Sequence, residues 1–170
     1  MKKSAILGLF MLASAGSSAV AEDSKTITIN ASNFYIGGGL GFNSLAGGTG
    51  QGFQILGGYE FDFTLNGDIL TAIELGYMDS GNFDATTFSP DASGRVSSKA
   101  SGVWLNVVET VPVSKNIDAL VRLGFDFGDD NGLMVGAGGA YNFNRHFALR
   151  SEYVVRDAVN SFQFNLLYSF

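Results

Sequence analysis

The chain has 170 residues and no cysteine, and its 16 acidic residues outnumber 10 basic ones, which gives a formal net charge of −6. An acidic chain is a poor candidate for nucleic-acid binding, which needs a basic surface. Without cysteine there is no disulfide, no thiolate metal site and no acylated lipoprotein cysteine. The length fits one domain, and the unusual features are 23 glycines and 13% aromatic residues.

Residues 1–21 have the features of a secretory signal peptide. Two lysines precede an apolar run over residues 5–15, and the sequence AVA at positions 19–21 is an A-x-A-type cleavage site. The apolar run is shorter than the roughly 20 residues of a transmembrane helix. We therefore expect these residues to be removed, which leaves eight basic and 16 acidic residues and a net charge of −8.

From residue 33 onward, apolar residues alternate with small or polar ones, which is the period of two that characterises β-strands. Turn residues such as Gly, Asn, Asp and Pro separate the alternating segments. Eight segments run approximately over residues 33–43, 51–61, 69–79, 101–111, 117–127, 132–143, 146–156 and 161–170. The pattern predicts a single all-β domain over residues 33–170. Residues 22–32 form either a periplasmic tail or an extension of the first strand.

Each segment has one apolar face and one face of small, polar or charged residues. A soluble lipocalin-like barrel would turn the apolar face inward, whereas a transmembrane barrel turns it toward lipid. Three features favour the membrane: the polar face is rich in glycine, the aromatic residues lie near segment ends, and compact connections alternate with longer ones. The sequence predicts an eight-stranded antiparallel up-and-down transmembrane barrel with its compact connections in the periplasm. A soluble periplasmic binder is the physically distinct alternative.

The end of the chain carries a family resemblance. The stretch GAGGAYNFNRHFALRSEYVVRD, followed by SFQFNLLYSF, contains a glycine-rich strand, a tight polar turn, a second strand and a last strand that ends on alternating aromatics. It resembles the last hairpin of small outer-membrane barrels of the OmpA transmembrane and OmpX/Ail type. The resemblance implies the outer membrane of a Gram-negative bacterium, with its lipids and lipopolysaccharide as neighbours. It also implies that Tyr168 and Phe170 form the signal read by the outer-membrane insertion machinery.

The polar face carries charged residues that a narrow barrel would bring together. Eight strands enclose just enough room for side chains, and buried ions require partners. We predict a structural ion-pair network inside the barrel. Its candidates are Glu74, Arg122, Arg150 and Glu152 near mid-barrel, with Glu60 and Asp118 toward the periplasmic end. The alternative, implied by the resemblance to OmpA-type barrels, is a narrow gated small-solute channel in which the ion pairs exchange.

Catalytic and metal sites are poorly represented. A lipid-A-modifying serine hydrolase would need His and Ser as H-x-S, but the position two beyond His146 is Ala148. Asp129 and Asp130 form an acidic loop tip that we expect to be solvated. Trp104 is placed inward because Asn106 shares its face. We therefore predict no enzymatic activity, no metal and no cofactor.

One connection is long, from about Ser80 to Ala100. Loops of this length in compact folds are usually functional or disordered. Its candidate contact residues are Phe83, Phe88, Arg95 and Lys99. The sequence predicts a monomeric, non-enzymatic integral outer-membrane protein with a structural or surface-interaction role, in which this loop contacts a host surface, a phage or lipopolysaccharide.

Overall fold

A computed structural model describes residues 29–45, 48–64, 69–85 and 96–170 of the chain. The predicted signal peptide and residues 22–28 lie outside the described residues. Just before the first strand, Ala31–Asn33 form a single 3₁₀ turn, in which the side chain of Asn30 accepts a hydrogen bond from the Ser32 N–H. No helix within the described ranges is long and apolar enough to cross a bilayer.

Eight antiparallel strands form a closed barrel in chain order. They are β1 (Phe34–Leu45), β2 (Gly48–Thr64), β3 (Leu70–Ala85), β4 (Val96–Ser114), β5 (Ile117–Asp126), β6 (Gly132–Asn142), β7 (Phe147–Val155) and β8 (Asn160–Ser169). Each strand pairs with the next, and β8 pairs with β1 from Tyr35↔Ser169 to Ser44↔Asn160. This confirms the predicted eight-stranded up-and-down topology.

The register of the strands sets the size of the barrel. Paired residues followed once round the barrel from Phe34 lead back to β1 at Ser44, ten positions further along. A ten-residue offset at about 3.3 Å per residue, shared over strands about 4.8 Å apart, gives a tilt of roughly 40° and a backbone radius of about 8 Å. The lumen is therefore only wide enough for side chains.

The apolar face lies outside and the charged face inside. Leu75 and Val121 are 56% and 55% exposed, while Glu74 and Arg122, on the opposite face of the same strands, are 0% and 3% exposed. Water would not leave so many large apolar side chains uncovered, whereas lipid does. This orientation contradicts the soluble lipocalin-like alternative. Trp104 is fully buried inside the barrel, as its shared face with Asn106 predicted.

Aromatic rings gather toward both ends of the outer surface. Ring pairs join Phe34 to Tyr59, Tyr141 to Phe143 and Tyr168 to Phe170 at the end with the compact turns, and Phe42 to Phe164 and Phe53 to Tyr77 nearer the other end. Such girdles sit at the two membrane interfaces, where an aromatic ring contacts both lipid and polar headgroups.

The predicted loop from Ser80 to Ala100 is wrong in extent. β3 continues to Ala85 and β4 begins at Val96, so the connection between them spans residues 86–95. The pairing shifts register between Asp79 and Asn82, and Gly81 takes a left-handed φ of 69° at this bulge. The bulge interrupts the alternation from which the strand end was predicted. The hairpin then resumes beyond the apolar outer band.

The seam between β1 and β8 gives a test of closure. A Cβ on Gly39 would overlap the carbonyl oxygen of Phe164, whereas a Cβ on Gly57 would meet nothing closer than the Tyr35 carbonyl oxygen at 3.9 Å. We expect Gly39→Ala to cost at least about 1–3 kcal/mol through overpacking and Gly57→Ala to be tolerated. Heat-dependent gel mobility of protein refolded into detergent measures the closed fraction. Equal closed fractions for both variants would contradict this account.

Candidate functional site

The centre of the lumen is built around Glu74 on β3. Its Oε1 lies 2.5 Å from Nη1 of Arg150 on β7, and its Oε2 lies 3.0 Å from Nη2 of Arg122 on β5. The hydroxyl of Tyr35 on β1 donates a 2.7 Å hydrogen bond to Oε1. One carboxylate therefore ties together four alternate strands across the barrel.

Glu152 on β7 completes a ring of four charges. Its Oε1 lies 2.8 Å from Arg122 Nη2, and its Oε2 lies 3.0 Å from Arg150 Nε. Each arginine thus contacts both glutamates, and two positive charges balance two negative ones. All four side chains are almost fully buried. We call Glu74, Arg122, Arg150 and Glu152 the central charge ring.

Three amide side chains extend the hydrogen-bond network of the central charge ring toward β2 and β8. The side-chain nitrogen of Gln54 donates to Gln163 Oε1 and to Asn165 Oδ1, both at 2.7 Å, and Asn165 donates to Glu152 Oε2 at 3.4 Å. These contacts use acceptors that would otherwise be buried without a donor. Polar contacts therefore cross the whole width of the lumen.

Glycines on β6 make room for the central charge ring. A Cβ at Gly136 would lie 2.9 Å from Arg122 Cγ, and a Cβ at Gly138 would lie 2.9 Å from Glu152 Cγ. Both positions face inward beside the two long side chains. The glycine at position 136 therefore leaves room for Arg122, whereas Gly138 is required first by the Ser151 carbonyl oxygen on β7, which its Cβ would overlap.

Apolar layers lie on both sides of the central charge ring, which the sequence pattern did not predict for the inner face. On the side of the compact turns, Ala72, Val108 and Leu120 form a buried cluster. On the other side, the buried cluster comprises Leu56, Met78, Ala100, Trp104, Met134, Val154 and Val159. The Arg122 guanidinium carbon also lies 5.2 Å from the centre of the Trp104 ring, within range of a cation–π contact. The described lumen is therefore layered rather than polar throughout.

A second ion pair, which was not among the predicted network residues, lies toward the end with the longer connections. Arg156 Nε donates to Asp126 Oδ2 at 3.2 Å, and its Nη1 donates to Ser161 Oγ at 3.0 Å. Ser161 in turn donates to Asn43 Oδ1 at 2.5 Å. Strand alternation places Asp126 and Arg156 inward. Their pairing could not be predicted because it depends on the strand register, which brings the two side chains to the same height along the barrel axis.

Two of the six predicted network residues lie away from the central charge ring. Glu60 is near the rim with the compact turns, where its carbonyl oxygen accepts a 3.0 Å hydrogen bond from Asn33. Asp118 accepts a 2.6 Å hydrogen bond from Asn142. The structure therefore brings together four of the six residues, with Tyr35 as an additional member that was not predicted. Tyr35 lies between outward-facing neighbours on β1, and this alternation could have predicted that its side chain faces the lumen.

The four surface-loop candidates have different placements. Lys99 lies on β4, and its ammonium is 2.7 Å from Asp79 Oδ2, beyond the apolar outer band that ends on β3 at Tyr77. The hydrogen bond that Lys99 donates lowers the pKa of the Asp79 carboxyl. Phe83 lies on β3, opposite Ser98. Phe88 and Arg95 fall outside the described residues.

The acidic loop tip is structured, so the expectation that it is merely solvated is wrong. Asp130 is buried, and its carboxylate accepts 2.8 Å hydrogen bonds from the backbone N–H groups of Ala158 and Val159. Asp129 accepts a 2.9 Å hydrogen bond from the Ser101 N–H. Carboxylates accept backbone N–H bonds strongly. The β5–β6 connection is thereby fastened both to the β7–β8 connection and to β4.

His146 and the last aromatics lie together at the rim with the compact turns. His146 Nδ1 is 2.9 Å from the Ser169 carbonyl oxygen, and its ring stacks on Tyr168 at a centroid distance of 6.0 Å. The Phe170 N–H donates to the Phe34 carbonyl oxygen at 3.1 Å. Within the described ranges, no group of three His, Cys, Asp or Glu residues could hold a metal ion.

A profile of the outer membrane protein beta-barrel domain family matches residues 5–170. The chain belongs to this family. The match covers all eight strands that form the closed barrel. No curated protein matches the sequence at a significant level.

Solved structures share the fold at low identity. A de novo designed transmembrane β-barrel has a TM-score of 0.52 and 15% identity, over 83% of this chain and 98% of that one. Ail of Yersinia pestis, in complex with the heparin analogue sucrose octasulfate, has a TM-score of 0.50 and 16% identity, over 81% and 96%. Neisserial surface protein A has a TM-score of 0.51 and 12% identity, over 82% and 98%. At these identities the likeness shows the fold alone.

The central charge ring gives a test by charge balance. We expect Glu74→Gln to destabilise the barrel by about 3–5 kcal/mol because it leaves two buried arginines sharing the single carboxylate of Glu152, with an unbalanced positive charge. The double variant Glu74→Gln/Arg150→Met restores neutrality and should cost about 0.5–3 kcal/mol less than the sum of the single changes. Urea unfolding in lipid vesicles, followed by the fluorescence of the single tryptophan, Trp104, measures each variant.

The pair formed by Asp79 and Lys99, in which the lysine side chain is 51% exposed, supplies the matched control. Asp79→Asn also removes one carboxylate from an ion pair, but water solvates the remaining ammonium. We expect little change in unfolding. A Glu74→Gln variant as stable as this control would show that the central charge ring does not hold the barrel together.

Proposed function

We propose that the protein is a non-enzymatic, monomeric outer-membrane barrel of a Gram-negative bacterium with a structural and surface-contact role. In this proposal the compact turns face the periplasm, and the outer-membrane insertion machinery reads Tyr168 and Phe170. Lipids and lipopolysaccharide surround the apolar outer face. The central charge ring, with Glu60 and Asp118 nearer the rim, stabilises the barrel from inside.

The observation that carries this proposal is the projection of one hairpin. β3 and β4 remain paired as far as Ala85↔Val96, beyond the apolar band that ends on β3 at Tyr77. The connections β5–β6 and β7–β8 at the same end are short and fastened by Asp130. A projecting hairpin beside fastened short loops supports a contact surface formed by the hairpin, with Phe83, Phe88, Arg95 and Lys99 as its candidate residues.

The layered lumen argues against the narrow-channel alternative. A permeating ion would have to pass the central charge ring and the apolar clusters around Val108 and Trp104, which have almost no exposed surface. Apolar constrictions oppose the passage of hydrated ions. The arrangement favours a plugged barrel whose charges stabilise the fold.

The surroundings of His146 support the absence of catalysis. One ring nitrogen is engaged with the Ser169 carbonyl oxygen, and the residue two positions on is Ala148. A serine-hydrolase mechanism requires a hydroxyl within hydrogen-bond reach of the imidazole base. We therefore assign His146 a role in joining the last strand to the β6–β7 connection.

The charge of the outer end bears on the type of partner. Ail was solved with a heparin analogue. In this chain the described residues at the end with the longer connections include the acidic Asp79, Asp129 and Asp157, with Lys99 already paired to Asp79. Like charges disfavour a polyanion. We propose that the partner of this protein presents a neutral or basic surface and is not a sulfated polysaccharide.

Substitutions in the β3–β4 connection test the contact role. We expect Phe88→Ala and Arg95→Ala to lower the binding of cells that display the protein to immobilised matrix proteins, because side chains of these types supply most contact energy at interfaces. Arg145→Ala, in the compact β6–β7 turn, is the matched control and should bind like wild type. Unchanged binding by both hairpin variants would remove the hairpin from the contact surface.

Planar-bilayer recordings test the plugged lumen. We expect the reconstituted wild-type barrel to give no steady conductance, because apolar layers lie on both sides of the central charge ring. Trp104→Ala removes the largest fully buried side chain in the lumen and is the variant in which conductance should first appear. Steady ion-selective conductance in the wild type would favour the channel instead.

A further inference from the structure

A carboxylate lies on the lipid-facing surface of β4. Glu109 occupies an outward position between Val107 and Val111, which are 44% and 42% exposed. The Thr71 hydroxyl lies 3.1 Å from Glu109 Oε1 and 3.0 Å from Oε2, across the β3–β4 pair. In the part of the chain that the structure describes, no Lys or Arg lies within ion-pair distance of Glu109.

An open groove runs beside this carboxylate. It has a volume of about 430 Å³ and is lined by Ile69, Glu109, Val111, Ala119, Leu120 and Val121. Ala119 pairs with Val111 on one side and with Gly139 on the other. Because Ala119 and Gly139 have small or no side chains, they leave a depression on the outer surface between larger neighbouring residues. The groove is therefore apolar along its length and acidic at one edge.

The position of the groove relative to the membrane points to a headgroup. Glu109 lies five residues before the end of β4 at Ser114, on the side of the barrel that carries the compact turns and the Tyr141 and Phe143 rings. Acidic side chains are tolerated near the interface, where lipid headgroups lie. An ionised carboxylate can only accept hydrogen bonds, and one threonine hydroxyl satisfies few of its lone pairs. The complementary group is a cation that donates several hydrogen bonds.

We propose that this groove binds a phospholipid whose headgroup carries a primary ammonium. The ammonium donates to the Glu109 carboxylate at the edge of the groove, and an acyl chain runs from Val121 toward the bilayer centre along the exposed Val107 and Leu123. A trimethylated headgroup has the same charge but no N–H to donate, so the site distinguishes the two lipids by hydrogen bonding. This inference rests on the proposed embedding of the barrel in a bilayer and is independent of what the β3–β4 hairpin contacts.

Native mass spectrometry of the purified full-length barrel tests this site. Detergent-solubilised protein is mixed with phosphatidylethanolamine or phosphatidylcholine of identical acyl chains, and the retained lipid is counted. We expect roughly a five- to tenfold preference for phosphatidylethanolamine, in line with one charge-assisted hydrogen-bonded contact. Glu109→Gln should abolish the preference. Asp79→Asn, which alters a carboxyl outside the apolar band, should leave it unchanged.

Equal retention of both lipids by the wild type would overturn the proposal, as would a preference that persists in Glu109→Gln. If the Glu109→Gln barrel fails to close, as judged by heat-dependent gel mobility, lipid retention by the wild-type protein alone tests the proposal. Stepwise N-methylation of the headgroup should then lower retention in order, and equal retention across the series would overturn the site. Retention of neither lipid by the wild type would also overturn the site, but not the embedding of the barrel in a bilayer, because detergent replaces bilayer lipid on the whole outer face.

Discussion

In the hydrocarbon core of a bilayer, no water can satisfy a backbone N–H or C=O that a strand leaves unpaired, so a membrane sheet must have no edge. The pairing of β1 with β8 meets this requirement, and much of the rest of the structure follows from it. Closure brings the two strands so near each other that Gly39 has no room for a side chain beside Phe164. The ten-residue offset of the closed ladder then sets the tilt and the radius. A barrel of that radius can hold side chains and little else.

The narrow lumen determines how charge is tolerated inside it. Buried ions are costly unless each has partners of good geometry. The central charge ring meets this condition because each arginine contacts both glutamates, and because Gly136 and Gly138 leave space for the long side chains. Apolar clusters then exclude water from both sides. Water exclusion strengthens each ion pair and raises the cost of breaking it. In the proposed plugged barrel, the same side chains would both stabilise the fold and close the lumen.

Period-two alternation predicted the fold and the orientation of its faces, because in a barrel the two faces meet different solvents. It also placed Glu74, Arg122 and Trp104 inside. The alternation could not provide the strand register across the barrel, which decides which inward charges meet. Asp126 and Arg156 were on the correct face, yet they pair only because the closed ladder places them at the same height along the barrel axis. Inward Met and Val residues were overlooked because an apolar side chain is compatible with either face. The bulge near Gly81 hid the continuation of β3, since local patterns do not show where pairing resumes.

The central charge ring also constrains the order in which the barrel can assemble. Glu74 and Arg150 are separated by 76 positions in the chain, so their contact forms only after β7 has joined the sheet. Before that moment, an open sheet carries Glu74 and Arg122 on its concave side without their full set of partners. The long chain segment between two such residues must also lose conformational entropy before their contact stabilises the fold, which slows folding. The concave side therefore has to stay hydrated or sheltered until β8 reaches β1, and the transfer of these charges out of water is coupled to the last strand pairing.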